Sequence, residues 1–334
     1  MNLTSIGDLA SSLMMRTRST ALKEVIATLT DELASGQVAD ITTRLGGDFA
    51  YLADIDRNLA RLDGYAVATT EAALFTEAAQ VNLDRVQSLT VKLSEDLLAT
   101  TPTHIGSTRV HNADRARTDL DSILGALNGT VAGRTIFGGI QTDRAPLGTT
   151  DDLLAGLSAA VAGLTDPGDI RTAAQAWFDD PAGFKAAMYA GSDTPLAPIR
   201  IASGQQVEMT LRADDAAFRD VLMNVALVAV STDAGLALDG DTQNALMVGS
   251  GQALLGLQED VTAHRADLGF AQARIEENAA RNEAARSSLD LARRQMLNAD
   301  PFDTAIRLEE TQFQLESLYA ATARTARLSL MNYL

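Results

Sequence analysis

The chain has 334 residues, 46% of them hydrophobic but only 4% aromatic, and its 27 basic against 44 acidic residues give a formal charge of -17. That balance argues against a phosphate-neutralising surface for nucleic acid. The absence of cysteine removes disulfides, thiolate nucleophiles and cysteine-ligated zinc.

Alanine, leucine and threonine supply most of the composition. Such side chains pack helices closely but fill a wide core poorly, so elongated helical packing is expected. Self-association of so acidic a chain has to be driven by apolar burial. No stretch reaches the ~20 apolar residues that span a bilayer. The opening MNLTSIGDLASSLMMRTRST has no basic region followed by a compact apolar segment, so neither membrane insertion nor a cleaved secretory signal is expected.

From Asp8 to about Ala34, Leu9, Leu13, Leu22, Val25, Ile26, Leu29 and Leu33 fall at mostly three- and four-residue steps, a helical stripe. Ser35-Gly36 interrupts it and Gly46-Gly47 marks a loop. A longer helical run follows from about Phe49 to Thr100, where Gly64 is a candidate bend or break. Thr101-Pro102 closes it, and a further helix is predicted over Thr108–Leu127.

Between about Arg134 and Asp214 glycine and proline recur, periodicity weakens and the single tryptophan, Trp177, appears. This stretch reads as a separate, partly β domain. Its clearest strand signal is PIRIASGQQVEMTLR: Ile199 and Ile201 alternate before Ser203-Gly204, and Val207, Met209 and Leu211 alternate after it, as in a β-hairpin. The following AAFRDVLMNVALVAV fits a buried helix.

In the last third Leu268, Ile275, Asn282, Leu289 and Met296 lie seven apart, with Ala271, Asn278, Ala285 and Ala292 three further on. This is a narrow heptad seam in which Asn282 reads as a polar register-setter. Asp300-Pro301-Phe302-Asp303 predicts a helix restart, with Asp300 as cap and Pro301 at the first helical position. The new helix carries Leu308, Leu315 and Thr322 on one seven-residue series and Thr311, Leu318 and Thr325 beside it. Periodicity alone leaves two readings open: termini covered by a partner, or a plain helical bundle with an insertion.

The ending AIRLEETQFQLESLYAATARTARLSLMNYL, Ala305 to Leu334, resembles the C-terminal helix of the flagellin superfamily, most closely its hook–filament junction branch, hook-associated protein 3. The likeness runs through Leu315, Leu318, Tyr319, Ala320, Leu328, Ser329, Leu330, Tyr333 and Leu334. LTDELASGQ is similar to the end of the family's N-terminal helix, through Leu29, Leu33, Ser35 and Gly36. AGRTIFGGIQTDRAP resembles the passage into the outer domain, through Gly133, Arg134, Phe137, Gly138 and Pro146. IRIASGQQVEMTLRADDAAFRDVL resembles that domain's closing segment, through Ile201, Gly204, Phe218 and Leu222. VADITTRLGGDFAYLA departs from the basic, proline-containing segment with paired aspartates common in the family.

The resemblance implies a mostly α fold of long coiled-coil-like helices packed from both termini, with a small inserted α+β or β domain. The expected organisation is an N-terminal assembly helix and loop (1–48), the first half of a helical core (49–133), the outer domain (134–214), the second half of the core (215–299) and a C-terminal assembly helix (300–334). It further implies a structural subunit of the flagellum that links the hook side to the flagellin filament. Such a subunit is exported through the type III apparatus with a chaperone on its C-terminal helix, and assembles as a homo-oligomeric ring between hook-associated protein 1 and flagellin. Its expected location is extracellular, in the flagellum. The assembly and chaperone interface is expected along Leu22, Ile26, Leu29, Leu33, Leu308, Leu315, Leu318, Leu328, Leu330, Tyr333 and Leu334, and the domain junction at Gly133, Gly138 and Gly139. The alternatives are a filament-forming flagellin and, in a different class, a cytoplasmic coiled-coil adaptor.

No catalytic, cofactor or metal residue is expected. His104, His111 and His264 lack any HExxH-like spacing. GRTIFGG has neither the spacing nor the lysine-hydroxyl pair of a phosphate loop. The pairs Asp151-Asp152, Asp179-Asp180 and Asp214-Asp215 neighbour helix starts or turns, where capping explains them. Trp177 reads as the anchor of a small core.

Overall fold

The computed structural model describes residues 3–99 and 106–331, with side chains described over 10–99 and 106–325. In chain order the first helices are α1 (Leu3–Ser35), the single turn α2 (Ile41–Arg44), α3 (Ala50–Ala99) and α4 (Gly106–Leu127). Two short strands, β1 (Thr130–Val131) and β2 (Arg134–Thr135), precede α5 (Thr150–Ala160), α6 (Pro167–Asp179) and the short α7 (Ala186–Met188). The hairpin β3 (Ile199–Ala202) and β4 (Gln205–Val207) leads to α8 (Ala216–Val230), α9 (Gly240–Gly256), α10 (Gln258–Leu297) and α11 (Pro301–Met331). The expectation of a mostly α chain with long helices is borne out.

Two compact units divide the chain, Met1–Leu62 with Ala284–Leu334, and Asp63–Glu283. In the first, α1 and α11 pack on each other. The start of α11 is built as its sequence predicts: an Asp300 carboxylate oxygen accepts from the backbone N–H groups of Phe302 (2.9 Å) and Asp303 (3.3 Å), which the helix itself leaves unpaired. Helix α3 runs through Gly64 without a break. The cost of one glycine, about 1 kcal/mol, is small beside the cooperativity of a helix this long.

The second unit is organised around α8, whose run from Val221 to Val230 is buried at every residue. Phe218, Val221, Leu222, Val225 and Leu227 are all buried there, among α4, α5, α6 and α9. The segment 134–214 contributes to this same core through Ile136, Phe137, Phe178, Phe184 and Ile201. Its regular structure is mainly helical. Thr149 and Asp152 close a capping box at α5, and Asp166 caps α6 with Pro167 at its first position. Trp177 packs edge-on against Phe178 and Phe184, ring centroids 5.1 and 6.1 Å away.

The predicted hairpin is present. Ile199 pairs with Val207 in antiparallel register, Gly204 turns the chain at φ +69, and Ile201, Val207 and Met209 are buried. A second ladder pairs Thr130 with Thr135 and Val131 with Arg134 across a two-residue turn, Ala132-Gly133. Both turn residues have positive φ, the backbone of a type I′ turn.

Candidate assembly surface

The first unit ends its helices in a corner. Gly36, at φ +69, stops α1. The Val38 N–H then donates to the Leu297 carbonyl at 2.9 Å and the Ala299 N–H to the Gly36 carbonyl at 3.0 Å. The buried Glu32 carboxylate accepts from the Ala39 N–H at 2.9 Å, closing the turn from inside. This corner lays α11 antiparallel to α1. Further along, the Ser19 hydroxyl donates to the Tyr319 phenol at 3.4 Å and the Lys23 ammonium lies 5.9 Å from that ring's centroid. These two contacts hold the Tyr319 phenol below its ordinary pKa, the Ser19 hydrogen bond being the larger cause.

Shielded positions along both helices step by four and three. On α1 they are Met15, Ser19, Leu22, Ile26 and Leu29; on α11 they are Thr304, Leu308, Thr311, Leu315 and Leu318. That is the spacing of a coiled-coil seam. Leu29 is fully enclosed, as are the small Thr304 and Thr311, and the Thr311 hydroxyl satisfies itself on the Arg307 carbonyl at 2.6 Å. Leu22, Ile26, Leu308, Leu315 and Leu318 are half-buried, and Leu33 stays exposed where α1 reaches the corner. Leu328 and Leu330 lie on α11 outside the described side chains, and Tyr333 and Leu334 lie outside the described residues.

The opposite side of α11 is apolar too. Phe302, Ile306 and Phe313 are 81%, 61% and 70% exposed. At 100° per residue they point almost directly away from the seam. Heptad counting follows one face of the helix and passes over this second stripe, although its four- and seven-residue steps are written in the sequence.

The three junction glycines differ in what they do. Gly133 supplies the turn between β1 and β2 at φ +77. Gly139 combines φ +62 with backbone crowding, since a Cβ there would lie 2.5 Å from the Thr194 carbonyl oxygen and 2.7 Å from that of Ser192. A Cβ on Gly138 would strike the Gln141 carbonyl and lie 2.7 Å from the Thr135 hydroxyl. All three sit where the chain leaves α4 and enters the hairpin-bearing segment.

Among the described residues no group of three His, Asp or Glu converges as metal ligands, and no helix is long and apolar enough to cross a membrane. His111 is exposed and His264 packs against the Phe218 ring at 5.6 Å. His104 lies outside the described residues.

Residues 252–334 match the family model described as the bacterial flagellin C-terminal helical region. None of the curated proteins matches the chain. Among solved structures, one from Vibrio parahaemolyticus, named as a candidate flagellar hook-associated protein, aligns over 73% of this chain and 94% of its own at 12% identity, with a TM-score of 0.51. The resemblance to the flagellin superfamily is thus borne out, in sequence over α10 and α11 and in fold over most of the chain.

Proposed function

We propose that this chain is a structural subunit of the bacterial flagellum, acting by assembly, and that its place is the junction between hook and filament. The observation that carries the reading is the doubly apolar α11, which has one face on α1 and leaves Phe302, Ile306 and Phe313 open. Monomers seldom leave such large side chains aligned along a helix without an interaction partner. The match of residues 252–334 to the flagellin C-terminal region places the open stripe in the segment that carries the family likeness.

Export through the type III route, a chaperone on α11, a homo-oligomeric ring, contacts with other axial proteins and an extracellular location belong to this proposal. Removing Leu328–Leu334 tests it. The truncated chain is expected to keep a folded Asp63–Glu283 unit by circular dichroism and to lose incorporation into flagella. Undiminished incorporation, or full-length chain that never reaches the flagellum, overturns the reading.

Because the matched family model is that of flagellin itself, a filament-forming role is the second reading. Electron microscopy of the purified chain under polymerising conditions separates the two: a junction subunit gives no long homopolymer, whereas a filament subunit does.

A further inference from the structure

Within the Asp63–Glu283 unit, a cleft of about 640 Å³ opens beside the hairpin. Phe75, Phe137 and Leu268 make its floor. Glu208, Asp260 and Asp267 stand on its rim, all exposed and with no ion pair of their own among the described residues. No lysine or arginine lines it. Unpaired carboxylates around an apolar floor select an occupant that is apolar along its centre and positively charged at its edges.

The chain itself carries a surface of that kind. Between Leu9 and Lys23 there is no acidic residue, although the protein as a whole is strongly acidic. Leu13 and Met14 are 67% and 72% exposed. With Thr17 and Ala21 they form an apolar strip along an open groove that Leu318 of α11 borders on one side. Arg16 and Arg18, both exposed, flank the strip on either side.

We propose that the cleft receives the Leu13–Ala21 strip of α1 from a second copy of the chain, with Arg16 and Arg18 pairing to its carboxylate rim. The proposal rests on the assembly reading above and names one of its contacts. Such a contact is head-to-tail, because the two surfaces differ, so it propagates from copy to copy and does not stop at a symmetric dimer. It also lets a chain of net charge -17 associate without like charges meeting, since the acidic cleft faces a stretch free of acid that carries Arg16 and Arg18.

The cysteine-free sequence makes the test direct. Full-length Thr17→Cys and Ala263→Cys chains are mixed under oxidising conditions, Ala263 lying at the cleft and both sites being exposed. Thr17→Cys mixed with Ala159→Cys, on exposed α5 surface, is the control. The expected result is a disulfide-linked dimer from the first mixture in about tenfold excess over the control, falling as salt rises from about 50 mM to about 500 mM. Asp260→Lys with Asp267→Lys in the cleft copy abolishes the excess, and Arg16→Glu with Arg18→Glu in the other copy restores it. No excess over the control, or an excess that ignores both salt and charge reversal, overturns the docking. A chain that incorporates into flagella without this cross-link removes the docking alone. A chain that forms it yet never incorporates removes the flagellar reading and leaves the contact standing.

Discussion

The Asn282 side-chain amide donates to the main-chain carbonyl of Ile201 at 2.8 Å, tying α10 to the first strand of the hairpin. Both residues are buried. Asn282 sits in the middle of the heptad series, where the sequence suggests a polar residue that sets the register of two helices. The structure gives it another partner, a strand carbonyl that the β3–β4 ladder does not fully satisfy. Asn282→Leu leaves that carbonyl without its donor and is expected to destabilise the protein by about 1–3 kcal/mol. A urea denaturation series compared with wild type measures it, and an unchanged midpoint would mean that water replaces the amide.

Phe313 lies on the open side of α11 and is 70% exposed. Phe313→Ser therefore removes little that the monomer buries, and its folding stability is expected to stay within about 0.5 kcal/mol of wild type. Incorporation into flagella should fall sharply, since burial of a large apolar side chain at an interface contributes about 1.5–3 kcal/mol. Leu29→Ala, by contrast, opens a cavity in the α1–α11 seam and should cost about 2–5 kcal/mol of local stability. Proteolysis then cuts α1 and α11 while sparing the second unit.

Gly139 is required twice, by its left-handed φ and by the carbonyls of Ser192 and Thr194 that close on it. Gly139→Ala is expected to cost at least about 1–3 kcal/mol, because the backbone strain and the carbonyl contacts act together. Gly133→Ala, with the same sign of φ and open space around it, isolates the strain. The difference between their thermal midpoints reports the crowding.

Asp119 is buried on α4 beside the Arg115 guanidinium, whose Nε lies 3.5 Å from the carboxylate. Burial raises its carboxyl above the usual carboxylate range and outweighs the attraction of Arg115. A folded value above the unfolded one means that this group's contribution to stability is complete at pH below the unfolded value and is lost as pH rises through the folded one. Asp119→Asn is thus expected to be more stable than wild type at neutral pH, the gap closing below about pH 4. Arg115 keeps its second partner, Asp96, in the variant. Denaturation midpoints at the two pH values check the sign.

Much of the architecture is legible from local rules because local chemistry makes it. The stripe from Leu22 to Leu29, the stop at Ser35-Gly36, the Asp300-Pro301 restart and the turn at Gly204 each depend on residues within one or two helical turns or one hairpin. The segment 134–214 is less legible. Its glycines and prolines advertise turns, yet α5 and α6, capped by Thr149 and Asp166, are held in place by packing on α8, where Leu157, Ile170 and Phe178 share a core with Phe218 and Leu222. Periodicity shows that a residue has an apolar side; it does not say against what that side is placed.

The candidate surface divides in the same way. Spacing alone establishes that the two ends of the chain are helices with apolar seams, since an amphipathic repeat is a property of neighbours along the chain. That the seams of α1 and α11 meet each other, that Phe302, Ile306 and Phe313 are left over on the far side, and that a carboxylate-rimmed cleft gathers Phe75, Phe137 and Leu268 from distant positions, all depend on which surfaces come together once the backbone has turned. Those contacts join residues up to some three hundred positions apart, as Ser19 and Tyr319 are, and no local preference encodes them. For the seam, the deciding contact is the antiparallel bridge between Gln37 and Asn298, which returns α11 along α1 so that their apolar faces bury each other.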